Sequence, residues 1–306
     1  MKYTDIRGVN ASRMIMGCMR IADKPLEQTE NLIVEAVRAG VNVFDLADVY
    51  AKGDCERVFG VALKDLGLAR EEYVVQTKCG IRYADFGKYY DFSREHILTS
   101  VENSLKRLNT EYIDVLLLHR PDTLIEPEEV AAAFAKLRAA GKVRAFGVSN
   151  ASAMQIQALE KCGVDIAVNQ MQFSLGHTLL VDAGVNVNTM KDEAVTRAGD
   201  ALEYCRLKNI TLQAWSPLQF GFFGGVFIGN ENFPALNAEL DRLAEKYNAT
   251  PAAIACAWIL RHPAKMQVVT GTTSPERMRD MCVATEIELT REEWYSLYTA
   301  TGKGVF

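Results

Sequence analysis

Eight short apolar runs separated by helix-like segments constrain this chain more than any other feature of its sequence. They are MIMGC (14–18), VNVFD (41–45), YVVQTK (73–78), IDVLLLH (113–119), VRAFGVS (143–149), IAVNQ (166–170), ITLQAWS (210–216) and MQVVTG (266–271). Runs rich in Val, Ile and Leu are how strands buried on both faces read, as in a parallel sheet covered by helices. The intervening segments carry helical periodicity. In residues 93–109, Ile97, Val101, Ser104, Leu105 and Leu108 share one face, with Ser93 placed as N-cap and Glu95 in the first turn. Residues 126–142 have proline near the start and glycine just past the end. Strands and helices alternating in this number predict an α/β fold, a (β/α)8 TIM barrel, with residues 1–306 as one domain. The opening YTDIRGVNASRMIMG predicts a β-hairpin that closes the barrel floor, with GVN supplying the turn. Two longer segments, 177–193 and 217–234, interrupt the rhythm after the sixth and seventh strands and are expected to act as lids or binding loops.

Composition narrows the function classes. A chain of 306 residues, 49% of them hydrophobic, builds a core that needs no disulfides. Its seven cysteines include no CxxC pair and none near a histidine, which points to buried thiols in a reducing compartment and to no metal site. A net charge of −5 without a basic cluster argues against a nucleic-acid partner. The first ten residues lack the apolar core of a signal peptide, and no run is long enough to span a bilayer. The expectation is a soluble, cytoplasmic protein acting on a small molecule, as a monomer or weak homo-oligomer.

Asp45, Lys78 and His119 each close one of the apolar runs, and Tyr50 follows shortly after the second. In parallel α/β folds the carboxyl ends of strands carry the active site, so these four polar groups are expected on one rim. A tyrosine is a poor acid at neutral pH, with an unperturbed pKa of ~10, unless a neighbour eases its ionisation. Lys78 can do so, and Asp45 can hold Lys78. His119, as a neutral donor, can orient a carbonyl oxygen beside Tyr50. Such a site suits carbonyl reduction, in which the oxygen gains a proton while the carbon accepts hydride from a cofactor. Singly, each residue has an ordinary structural explanation: a helix cap, a packing tyrosine, an ion-pair lysine, a core histidine.

With these residues placed, the chain resembles the aldo-keto reductase superfamily over nearly its whole length. GVNVFDLADVY (40–50) is similar to the family's Asp-then-Tyr signature, RLNTEYIDVLLLHRPD (107–122) to the segment carrying the family histidine, and VRAFGVSN (143–150) to the strand that reaches nicotinamide. The resemblance implies Tyr50 as general acid, Asp45 and Lys78 as its tuning pair, and His119 as the residue orienting the substrate. It further implies that Ser149, Asn150 and Gln170 bind the nicotinamide carboxamide, that Trp215 stacks on the ring, and that Ser216 and Leu218 lie near the pyrophosphate. VVTGTTSPERMRDM (268–281) resembles the segment that grips the adenosine 2′-phosphate, implying contacts from Gly271, Thr272, Thr273 and Arg277. Here the chain departs from the family pattern: a common lysine is replaced by Gly271, the family Glu is Asp280 and the Asn is Met281. NADPH is the implied cofactor, with NADH also possible.

Pocket walls are expected from Met19, Arg20, Tyr83, Phe86 and Phe173 and from Phe220, Phe222 and Phe223, an aromatic surface suited to a hydrophobic aldehyde or ketone. The short tail after Thr290 predicts broad specificity. Two other readings stand beside the reductase: an NADP(H)-binding regulatory or redox-sensing subunit with little turnover, and a lyase or aldolase using Lys78 as a Schiff-base amine.

Overall fold

The computed structural model describes residues 1–305, and its centre is a closed barrel of eight parallel strands. These are β1 (Met14–Gly17), β2 (Val43–Asp45), β3 (Val74–Cys79), β4 (Ile113–Leu118), β5 (Val143–Ser149), β6 (Ile166–Gln172), β7 (Thr211–Trp215) and β8 (Gln267–Thr270). Each pairs with its sequence neighbours, and β8 returns to β1 through Val268 beside Met14 and Thr270 beside Met16. All eight expected runs are strands with ends within two residues of those expected, the sixth running on to Gln172. The helices lie outside, so side chains on one face of each strand pack against helices. Phe146 of β5, for example, stacks on Phe134 of the helix Pro127–Ala139 with ring centroids 4.0 Å apart. The helix Arg94–Leu108 buries Ile97, Val101, Ser104, Leu105 and Leu108, and its Ser93 cap accepts from the His96 amide as its sequence predicts.

The floor is a hairpin, Tyr3–Ile6 paired antiparallel with Val9–Ser12. It plugs the barrel with Ile6 and Ala11, packed among Ile15, Val43, Val74, Val115 and Ala167. Its turn is Arg7-Gly8, both left-handed, rather than GVN. The Asp5 carboxylate accepting from the Gly8 amide stabilises that two-residue turn, which leaves Val9 and Asn10 in the second strand.

At the opposite rim the structure adds a second hairpin that the sequence reading lacks: Ile81–Ala84 paired with Gly87–Tyr90, directly after β3. Gly80, at φ +106, makes the sharp exit, and a Cβ there would sit 2.0 Å from the Phe92 ring. Segment 177–193 does not form a lid. It contains the short helix Leu179–Val185, whose buried Asp182 accepts from Tyr298 Oη at 3.0 Å and from Lys303 Nζ at 2.6 Å. These contacts tie the segment to the C-terminal helix and tail. No helix among the described residues is long and apolar enough to cross a membrane.

Candidate active site

A cavity of about 990 Å³ opens at the carboxyl ends of the strands. Seven of the eight strands line it at or near their carboxyl ends, which a parallel barrel gathers on one rim. Gly17 comes from β1, Asp45 from β2, His119 from just past β4, Ser149 from β5, Gln170 from β6, Trp215 from β7 and Thr270 from β8. Lys78, one residue before the end of β3, lies beneath the floor of the cavity and is almost completely buried.

Lys78 has three hydrogens to donate, and each has an acceptor: Asp45 Oδ2 at 2.7 Å, the Leu46 carbonyl at 2.8 Å and Tyr50 Oη at 3.1 Å. The phenolic oxygen therefore receives a hydrogen bond from an ammonium and keeps its own proton for a molecule in the cavity. Burial holds the Tyr50 pKa above the ordinary tyrosine value, Lys78 opposing this and Asp45 adding to it. The lysine thus limits the penalty of burial rather than turning Tyr50 into a phenolate. Burial also acts to lower the Lys78 pKa, but Asp45 and Tyr50 outweigh it and hold the ammonium above its usual value. His119 stands with its ring centroid 5.7 Å from that of Tyr50 and nearly perpendicular to it. Burial, then the positive charges of Lys78, Arg120 and Lys88, push its pKa well below the ordinary value, so the imidazole is neutral. Its Nδ1 is buried and has no hydrogen-bond partner among the described residues.

Asp45 is held from below by a lattice of amides. Its Oδ1 accepts from Gln76 Nε2 at 2.6 Å and from Gln170 Nε2 at 3.0 Å. Gln76 and Gln170 each donate a second hydrogen to Gln213 Oε1, and Gln213 donates back to Gln76 and onward to Gln267. Gln267 in turn reaches the Ser12 carbonyl of the floor hairpin at 2.8 Å. All four glutamines are buried. Because both hydrogens of Gln170 are engaged, its Oε1 is presented to the cavity as an acceptor only. Beside it Asn150 Nδ2 donates to Ser149 Oγ at 2.8 Å, Ser149 Oγ donates to the Gln170 carbonyl at 3.0 Å, and Trp215 Nε1 donates to Asn150 Oδ1 at 3.2 Å. Asn150 retains one amide hydrogen for a ligand.

Backbone strain gathers at the same rim. Ala51, Asn150, Ser216 and Phe223 all line the cavity with positive φ, and Lys52 continues the left-handed turn after Tyr50. Asparagine tolerates that region; alanine, serine and phenylalanine do so at a cost of ~1–3 kcal/mol each.

The other expected residues divide clearly. Ser216, Leu218, Gly271, Thr272 and Arg277 line the far arm of the cavity, with Asp280 and Met281 beside them. Thr273 lies outside the lining. Met19, Arg20 and Tyr83 are on the near wall, with Phe222 and Phe223 from the 217–234 loop. Phe173 and Phe220 are not on it. Phe173 is fully buried against Trp258, ring centroids 5.0 Å apart, and Phe220 packs on Phe233 at 5.0 Å. Phe173 follows β6 with its side chain turned outward, and the two glycines Gly224 and Gly225 leave room for the Phe220 ring under its own loop. Phe86 is exposed at the tip of the rim hairpin. That hairpin contributes Ile81, Lys88 and Tyr90 instead, and the loop after β4 contributes Arg120. The wall is therefore more cationic than its sequence suggests.

The aldo/keto reductase family model matches residues 13–300. Over 306 aligned residues the chain is 35% identical to the 6-dehydroglucose reductase of Agrobacterium fabrum, covering 96% of each protein. It is 34% identical to oxidoreductase YdhF of Escherichia coli, covering 96% of this chain and 95% of that one. Among solved structures, a thermostable aldo-keto reductase in complex with the inhibitor epalrestat superposes with a TM-score of 0.78 at 26% identity, covering 98% of this chain and 100% of that one.

Proposed function

The chain belongs to the aldo/keto reductase family and is an oxidoreductase, and on that premise we propose that it reduces aldehydes or ketones to alcohols with NADPH. The observation that carries the proposal is the hydrogen-bond pattern at Lys78, which leaves a protonated Tyr50 as donor at the base of a cavity deep enough for a second reactant.

The residues present fit a nicotinamide dinucleotide. Gln170 Oε1 and the remaining Asn150 hydrogen offer an acceptor and a donor side by side, the complement of a carboxamide. Trp215 offers an aromatic face beside them. In the far arm, Gly271 has open space around it, Thr272 supplies a hydroxyl, and Arg277 at the start of the helix Pro275–Cys282 is exposed with its guanidinium unpaired among the described residues. An anionic phosphate suits that position through charge-assisted bonds and the helix N-terminus. Arg277 supports NADPH as the preferred cofactor and the missing lysine leaves room for NADH. When bound, the cofactor supplies hydride to the carbonyl carbon.

The chain's own residues manage the oxygen. Neutral His119 donates to the carbonyl oxygen and fixes it within reach of Tyr50 Oη, and Tyr50 transfers its proton as negative charge develops there. Lys78, already bonded to Tyr50 Oη, stabilises the phenolate left behind until solvent returns a proton. Asp45 keeps Lys78 charged. The Schiff-base alternative fares poorly, because Lys78 Nζ is an ion-paired ammonium with all hydrogens engaged and no lone pair to attack a carbonyl.

The test is oxidation of NADPH, followed by its absorbance, with purified protein and a panel of aromatic and aliphatic aldehydes that includes 6-dehydroglucose, the compound in the Agrobacterium relative's name. Tyr50→Phe keeps the ring and removes the proton, so kcat should fall by ~10²–10⁴ while NADPH binding persists. Retained turnover in that variant refutes the assignment. NADPH binding without turnover of any carbonyl would replace the reductase with the regulatory reading.

A further inference from the structure

We propose that Arg120, assisted by Lys88, binds an anionic group on the substrate, so that the preferred carbonyl compounds carry a carboxylate, sulfonate or phosphate near the reacting carbon. The inference rests on the reductase reading and names the substrate class for that same site.

Four arginines among the described residues are half-buried: Arg13, Arg70, Arg107 and Arg120. Three of them have protein acceptors. Arg13 donates to the Leu260 and Met266 carbonyls, Arg70 is paired with Asp114, and Arg107 with Glu56. Arg120 has neither a hydrogen bond nor an ion pair among the described residues; its neighbours are the Trp215 ring at 5.3 Å and the Phe222 ring at 5.5 Å. Ring contacts at these distances supply no hydrogen-bond acceptor, so the guanidinium N–H groups remain to be met from the cavity. A partly desolvated guanidinium with unmet donors is unfavourable, and an anion in the cavity meets them.

The surroundings repeat the message. Arg20 and Lys88 line the same end of the cavity, neither ion-paired among the described residues, with Lys88 Nζ 5.7 Å from the Tyr83 ring centroid. Among the described residues only two carboxylates line the cavity: Asp45, held by Lys78, and Asp280 beside Arg277 in the far arm. On a chain of net charge −5, a cavity end with three cations and no available carboxylate is a local reversal of sign. Arg120 is also adjacent in sequence to His119, and its charge acts on both His119 and Tyr50. An anion bound there therefore lies on the same side of the cavity as the pair that orients the carbonyl. The aromatic walls of Tyr83, Tyr90 and Phe222 accommodate the connecting atoms.

The experiment compares 4-carboxybenzaldehyde with its neutral methyl ester, methyl 4-formylbenzoate, as substrates for the full chain with NADPH. We expect kcat/KM for the acid to exceed that for the ester by about tenfold or more, the range of a charge-assisted contact, and the excess to shrink as salt is raised. In Arg120→Gln that ratio should collapse toward one, mainly through KM for the acid, and Arg120→Lys should restore part of it. A wild-type ratio near one, or a ratio that survives Arg120→Gln, overturns the proposal. Calorimetric binding of 4-(hydroxymethyl)benzoate and its methyl ester to the NADPH-loaded protein, a combination that cannot react, gives a second readout independent of turnover. Equal affinities overturn the anion site. Selective binding of the acid that Arg120→Gln abolishes, without turnover of any aldehyde, upholds the anion site and instead defeats the reductase reading. Should Arg120→Gln not fold, the wild-type ratio and Arg120→Lys decide the question.

Discussion

Asp48 offers a test of the site's electrostatics that needs no substrate. Its Oδ1 is sealed from solvent with no hydrogen-bond partner among the described residues, although the charge of one cation acts on it. That cation, Arg107, is committed to Glu56, whose fully buried carboxylate also accepts from Thr77 Oγ1 at 2.6 Å. Burial and the repulsion of Glu56 raise the Asp48 pKa from 3.8 to about 7, against smaller opposing effects from Arg107, Ser100 and the Val49 amide. A folded-state pKa above the unfolded one means that the native protein holds a proton the unfolded chain has lost. Stability from this group is therefore present at low pH and falls as pH rises from about 4 to about 7. A shift of roughly three units corresponds to ~4 kcal/mol at ~1.4 kcal/mol per unit, and partial solvent access to the residue reduces this to about 2 kcal/mol. Asp48→Asn removes the titration while keeping the shape. Thermal unfolding followed by circular dichroism should show the variant melting higher than wild type by about 4 °C at pH 8, at ~2 °C per kcal/mol for a chain of this size. The difference should shrink as pH falls below about 7 and approach zero only near pH 4 and below. A gap that is constant across this range, or a variant less stable at pH 8, would refute the argument.

Two further outcomes follow from the geometry. Gln213→Leu removes the central amide of the lattice and strands Gln76 Oε1, Gln267 Oε1 and one hydrogen each of Gln76 and Gln170 in the barrel interior; at ~1–3 kcal/mol per orphaned group the melting temperature should drop by several degrees. Since Gln170 then loses a restraint on its orientation, KM for NADPH should rise more than kcat falls; steady-state kinetics showing KM unchanged would mean that the lattice is structural only. Arg277→Ala should raise KM for NADPH by about tenfold or more and leave KM for NADH nearly unaffected, because only the former carries a 2′-phosphate. Equal losses with the two cofactors would remove Arg277 from phosphate recognition.

Much of the fold was legible because a parallel barrel writes itself locally: each strand is buried on both faces, so each is an apolar run, and each helix shows its own period. The rim hairpin was not, since IRYADFGKYY is a short, exposed, polar pairing with no apolar face to mark it; its only signal is a run of β-forming residues on each side of Asp85-Phe86-Gly87. Segment 177–193 misled for the opposite reason. Its length suggested mobility, whereas a single buried aspartate fixed by Lys303 and Tyr298, more than a hundred residues away in sequence, anchors it.

The candidate site shows the same division between what is local and what is not. The convergence of Asp45, Lys78 and His119 was readable because strand-end position is a local property and barrel closure forces three such ends onto one rim, and Tyr50 follows the first of them by five residues. The glutamine lattice left a trace that went unread: Gln76, Gln213 and Gln267 interrupt three of the apolar runs, and a polar residue inside a buried strand must find a partner there. No trace of that kind exists for Arg120. An arginine before a proline in a loop is an ordinary solvated charge, and what gives this one meaning is the absence of an acceptor in the surroundings that folding builds around it. A sequence specifies which groups are present, but whether a charge is satisfied depends on every element that reaches it. The residues whose partners are missing from the folded protein are consequently the ones sequence reading overlooks and the ones a ligand is best placed to complete.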